Sequence, residues 1–117
     1  ITATQYIDAM RVMELARRGE ADHALDGVDV LVTPQVPHVA PPIEGVLTDA
    51  RDVPRTAYTS LIDLTGQPAM SVPCGLSGDG MPVGLQIIGR QWDEAAVVRA
   101  GRAYEMVRGP FAAPPLA

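Results

Sequence analysis

Two short apolar runs joined by a glycine-rich reversal constrain this chain most. Residues 69–73 and 83–88 flank Leu76-Ser77-Gly78-Asp79-Gly80. The second run places Val83, Leu85, Ile87 and Ile88 on both sides of one strand, with Gln86 the exception. A strand apolar on both faces requires cover above and below, so it belongs inside a layered sheet. The short reversal favours pairing of the two runs as hairpin-like neighbours over a crossover.

The rest of the chain supplies cover and one more strand. Residues 4–25 read as a helix, with Thr2 or Thr4 as N-cap. Tyr6, Met10, Met13 and Ala16, with Ile7 beside them, follow the three-and-four spacing of a buried face. Gly19 ends or splits that helix, and Asp26-Gly27 stops it. Residues 28–32 read as a short strand. Residues 33–54 form a proline-rich loop (Pro34, Pro37, Pro41, Pro42, Pro54), because proline lacks the N–H that a ladder needs. Residues 55–65 read as a helix closed by Gly66. Asp93 caps a last helix with the stripe Val97, Ala100, Tyr104 and Val107, stopped by Gly109-Pro110. The tail, residues 111–117, is expected to fray. This order gives an α/β class with three strands and one domain over residues 1–117.

Such a sheet has few helices to cover it. The isolated chain is therefore expected to be marginally stable and to bind itself, as a homo-oligomer, or a missing partner segment. The opening Ile1, with no Met and no signal-peptide pattern, is what an excised piece would show.

Composition removes several function classes. Nine basic residues against fourteen acidic ones give a net charge of −5, which argues against nucleic acid or an anionic membrane as partner. No apolar run approaches the roughly 18 residues of a membrane span. The one cysteine, Cys74, cannot form an internal disulfide, which fits a reducing cytoplasm. All nine basic residues are arginine, a weak compositional hint of a GC-rich bacterial source.

The chemistry-bearing residues are sparse. Ser60, Ser71 and Ser77 are the only serines, and none lies in a Gly-x-Ser-x-Gly elbow. Ser71 alternates with Met70 and Val72 in what reads as a buried strand. A serine nucleophile needs a base, and neither His23 nor His38 carries a cue linking it to a serine. Cys74 lacks the nearby cation or helix N-terminus that would activate a thiol and reads as a small buried residue. Two histidines and one cysteine give no metal-ligand spacing. Gly75, Gly78 and Gly80 precede a strand rather than a helix, so they form a turn and not a phosphate cradle. No cofactor or metal is expected.

Four segments in order resemble the amidase signature family. They are Asp29-Val30-Leu31-Val32-Thr33-Pro34, after a helix with Tyr6-Ile7-Asp8-Ala9; Ala40-Pro41 with Ile43 to Gly45; Asp63-Leu64-Thr65-Gly66-Gln67-Pro68-Ala69; and Met81-Pro82-Val83-Gly84-Leu85-Gln86-Ile87-Ile88-Gly89, followed by Glu94. The resemblance implies the C-terminal portion of the amidase-signature fold, a mixed sheet with flanking helices. It implies hydrolysis of a carboxamide through an acyl-enzyme, with a serine, a cis-peptide serine and a lysine that lie upstream in the family. This chain has no lysine and no Gly-Gly-Ser-Ser-Gly-Gly type segment, so it is expected to hold no catalytic residue and to be inactive alone.

The resemblance also implies a share in the substrate channel. In family members such as fatty acid amide hydrolase, wall positions correspond to Val53, Thr56, Ser60 and Trp92. In the glutamyl-tRNA amidotransferase members of the family, the approximate place of Thr56 holds an acid that grips the glutamine amino group. Threonine there counts against a glutamine-using enzyme. Asp63 stands where many members have Asn. The leading expectation is a cytoplasmic amidase's C-terminal part, which needs the N-terminal catalytic part and an amide substrate. The alternatives are a non-catalytic binding module derived from an amidase and a fragment of the amidase-like chain of a glutamyl-tRNA amidotransferase.

Overall fold

A computed structural model of the chain describes residues 1–20, 23–43 and 58–111. Helix α1 spans Ala3–Leu15. Its start is a reciprocal capping box: Thr2 Oγ1 accepts from the Gln5 N–H at 3.3 Å, and Gln5 Oε1 accepts from the Thr2 N–H at 2.9 Å. The α-helix ends earlier than its apolar spacing predicts. Ala16–Glu20 form a π-helical turn, which contains the Gly19 flagged in the sequence.

Strand β1 is Leu31–Pro34, not residues 28–32. Gly27, at φ 79°, turns the chain. The register then sets the strand: Val32 sits opposite Ile87 and Thr33 opposite Gln86. Pro34 is tolerated because β1 is an edge strand with one paired side. Helix α2 covers Ser60–Thr65 and closes at Gly66, whose left-handed φ of 77° lets its N–H reach Ile62 O at 2.9 Å. The loop expected over residues 33–54 and the helix start at residue 55 fall partly in 44–57, outside the described residues.

Strands β2 (Ala69–Leu76) and β3 (Pro82–Ile88) pair antiparallel, as the sequence predicts. Gly80 at φ 78° and the Ser77 N–H bond to Met81 O at 2.8 Å close the turn. Cys74 is the extra residue of a bulge between Pro73 and Gly75. It is a half-buried thiol within β2 rather than a buried one at its end. Sheet order is β1-β3-β2, so the doubly apolar strand is central. All three described strands run antiparallel.

Helix α3, Glu94–Arg108, starts where Asp93 accepts from the Ala96 N–H at 3.1 Å. Register assigns side chains to faces, since paired residues share a face. Val32, Ile87 and Met70 lie on one face with Pro34, Leu85 and Val72. There Val97 of α3 packs on Val72 and Ile87, with Ala100 and Tyr104 at the margin. Gly101 permits the approach: a Cβ on it would stand 1.9 Å from Met70 Cε. The expected stripe overreaches by one residue, because Val107 is 90% exposed beyond the sheet.

The N-terminal segment is tied down by polar side chains that reach backbone carbonyls. Arg90 Nη2 donates to Leu25 O and, at 3.1 Å, to Val28 O. Gln91 Nε2 donates to Arg17 O at 3.3 Å and to Thr65 O at 3.0 Å. Arg17 Nε donates to Leu64 O at 2.7 Å. The apolar face predicted for α1 is nonetheless bare: Tyr6 is 61% exposed, Ile7 50% and Met10 42%. Only Met13 and Ala16 are half-buried. The spacing describes a face that wants cover, and no described element lies over it. The molecule is only 19 Å thick, about one sheet plus one layer of helix.

Candidate functional site

The second face of the sheet carries the polar chemistry. Thr33, Gln86 and Ser71 stand opposite one another across β1, β3 and β2, so three polar side chains form one row. Gln86 is 3% exposed and fully engaged on its amide side: Nε2 donates to Tyr58 O at 3.0 Å and to Thr33 Oγ1 at 3.4 Å. It thus ties the approach to α2 to the sheet. Gly84 lies beneath the row, where a Cβ would meet Ser71 Oγ at 3.2 Å and Gln35 Cβ at 3.1 Å. Ser71 itself is exposed, and its hydroxyl has no hydrogen-bond partner among the described residues. This corrects the expectation of a serine inside a buried strand. One face of β2 is covered by α3, and Ser71 points to the other.

A concavity of about 350 Å³ opens over this row, between the sheet and the first turn of α2. Gln35, Thr59, Asp63, Ser71 and Gln86 line its polar side, with Ile62, Ala69 and Met70. The site offers hydroxyls, an amide and one carboxylate. It holds no base for a serine: His23 Nδ1 lies 3.3 Å from the Asp26 carboxylate, and His38 Nδ1 donates to Val39 O at 3.1 Å. No cluster of three metal-ligating side chains exists among the described residues.

Of the residues expected at a substrate wall, Val53 and Thr56 lie outside the described residues. Ser60 is the half-buried first residue of α2, and its neighbour Thr59 lines the 350 Å³ concavity. Trp92 lies elsewhere. It is 88% exposed and lines a groove of about 430 Å³ with Glu14, Arg17, Arg18, Thr65, Gly66, Gln91 and Glu94. Its φ of 66° is left-handed, a conformation costly for a bulky residue. The turn forces it there: Arg90 and Gln91 are fixed by the carbonyls they hold, and the Asp93 N–H reaches Arg90 O at 3.1 Å. The indole is therefore held outward on a rigid support. Ser60 and Trp92 share no concavity among the described residues. In the sequence, Gln86 stands out only as an interruption. Its alternation with Gly84, and the matching Ser71 and Thr33 in the paired strands, is the signal that could have found the row.

Comparison with known proteins shows where this geometry recurs. The amidase family model matches residues 1–98. A protein of Rhodococcus erythropolis described as "Uncharacterized protein in nthA 5'region" is 41% identical, over 93% of this chain and 56% of its own length. The amidase-like chain of the glutamyl-tRNA(Gln) amidotransferase of Lachnospira eligens is 39% identical, over 91% of this chain and 22% of its own. Among solved structures, an amidase superposes with a TM-score of 0.79 and 34% identity, over 93% of this chain and 26% of that one. A 6-aminohexanoate cyclic dimer hydrolase superposes with a TM-score of 0.77 and 25% identity, over 94% and 26%. The chain thus spans about half of one relative and about a quarter of the others. The expected α/β portion with flanking helices is what these superpositions contain. No helix among the described residues is long and apolar enough to cross a membrane.

Proposed function

The chain belongs to the amidase family, and from that premise we propose that it is the C-terminal part of an enzyme hydrolysing a carboxamide. Water adds across the C–N bond, giving an acid and an amine or ammonia. The observation that carries this reading is the 0.79 superposition on an amidase, confined to 26% of that enzyme. A match so close over so small a share fits a portion of one catalytic domain. The portion supplies β1 to β3 and a polar wall, and Ser60, Trp92, Val53 and Thr56 belong to the substrate channel by family resemblance. The activating lysine must come from elsewhere, because this sequence has none. A cytoplasmic setting agrees with the lone half-buried thiol of Cys74.

The test has two arms. The 117-residue chain is assayed against benzamide and acetamide, and no turnover is expected. The same chain then replaces the matching segment of the 34% identical amidase, and the chimera is expected to hydrolyse benzamide. Turnover by the chain alone that disappears in Ser60→Ala, Ser71→Ala or Ser77→Ala overturns the reading. So does an inactive but folded chimera.

A second reading, a fragment of a glutamyl-tRNA amidotransferase, is favoured by the names of several relatives, such as that of Lachnospira eligens. Thr56, in place of an acid, weighs against it. Glutamine hydrolysis by the chimera would move the assignment to that class. A non-catalytic module is the reading left if the chimera fails.

A further inference from the structure

The sheet has one finished face and one unfinished face. The finished face meets α3 through purely apolar contacts, Val97 on Val72 and Ile87. The other presents the exposed Ser71 hydroxyl and the Asp63 carboxylate beside the 350 Å³ concavity. We infer that this unfinished face is the docking surface for the upstream, catalytic part of an amidase, with Ser71 as a positioning residue that hydrogen-bonds that part. The inference rests on the reading above and goes beyond it, by choosing the face and the residue.

Two observations select this occupant. The chain covers 22% of its amidotransferase relative and 26% of the amidase it superposes on, so most of such an enzyme lies outside the described structure. Second, the row is polar where a helix layer would want apolar side chains. Covering a hydroxyl or an amide without a partner is unfavourable, so whatever covers the row must bring hydrogen-bonding groups. A segment rich in free backbone N–H and C=O groups meets that need. An apolar helix such as α3 does not. Gln86 is already engaged with Tyr58 O and Thr33, which leaves Ser71 as the member of the row facing the newcomer. Gly84 beneath it keeps the surface low enough for close approach.

The test combines this chain with the upstream part of the 34% identical amidase, purified as a separate polypeptide, and follows association by sedimentation velocity. Ser71→Arg and Ala69→Arg place a long cation on the unfinished face. Val98→Arg and Val107→Arg place it on exposed positions of α3 as controls. All four positions are solvent-exposed, and circular dichroism melts are expected to match that of the unsubstituted chain. A one-to-one complex is expected. It should weaken at least about 10-fold in Ser71→Arg and Ala69→Arg, stay unchanged in the α3 controls and survive Ser71→Thr, which keeps the hydroxyl. Equal binding by all variants overturns the inference while leaving the proposed function intact. Greater loss from the α3 controls also overturns it, as does an unsubstituted chain that associates only with itself or not at all. The proposed function is judged separately, by the chimera's hydrolysis.

Discussion

Gly101→Ala asks two opposed effects to declare their sizes. Within an exposed helix, replacing glycine by alanine stabilises by about 1 kcal/mol through helix propensity. At Gly101 the new Cβ would lie 1.9 Å from Met70 Cε, 3.4 Å from Met70 Sδ and 3.7 Å from Val72 Cγ1. The first distance is impossible, so Met70 must leave its rotamer or α3 must lift from the sheet. Overpacking of this kind costs about 1–3 kcal/mol, and a flexible thioether end puts it near the lower bound. The net expectation is a loss of about 0–2 kcal/mol, the opposite sign from propensity alone. Met70→Val removes both clashing atoms and retains a strand-favouring residue. In that background Gly101→Ala should regain its propensity benefit of about 1 kcal/mol. The two substitutions should therefore couple by about 1–3 kcal/mol. Urea unfolding followed by far-UV circular dichroism, on the four proteins of the cycle, measures this. Stabilisation by Gly101→Ala of about 1 kcal/mol in both backgrounds would refute the seating of α3 on β2.

Two further substitutions probe other parts of the structure. Trp92→Gly removes a left-handed strain worth about 1–2 kcal/mol and loses little burial, while glycine's extra unfolded-state freedom offsets part of the gain; the melting temperature should stay level or rise, and a fall of several degrees would mean the indole packs on something. Gln86→Leu strips the buried donor from Tyr58 O and Thr33 Oγ1; a loss of about 1–3 kcal/mol is expected in urea unfolding, with faster amide exchange in α2, and unchanged exchange there would break the proposed tie between α2 and the sheet.

What is legible in the sequence is local. Asp93 caps α3, Gly66 ends α2 in a left-handed turn and Gly80 closes the β2–β3 reversal, because each depends on the residue itself and its near neighbours. The pairing of β2 with β3 is legible for the same reason: a short turn leaves few alternatives. What depends on distant chain is not legible. The start of β1 is set by register against Ile87 and Ile88, so propensity alone puts it three residues early. Tyr6, Ile7 and Met10 announce a buried face, yet burial needs a covering element, which spacing cannot supply. Ser71 reads with its apolar neighbours Met70 and Val72, although alternation puts it on the opposite face. Of the four channel residues, Ser60 and Trp92 can be located, in separate places, and Val53 and Thr56 lie outside the described residues.

Arg90 and Gln91 give this fold an uneven tolerance to change. Their side chains grip the carbonyls of Leu25, Val28, Arg17 and Thr65, and a carbonyl is the same whichever residue bears it. Drift at those four positions leaves these tethers intact, whereas drift at either of two adjacent positions releases segments more than twenty residues away in sequence. A random library spread over the whole chain should therefore accept many substitutions along residues 17–28 and few at 90 and 91. The information that holds the N-terminal segment in place is written almost entirely in a dipeptide near the other end.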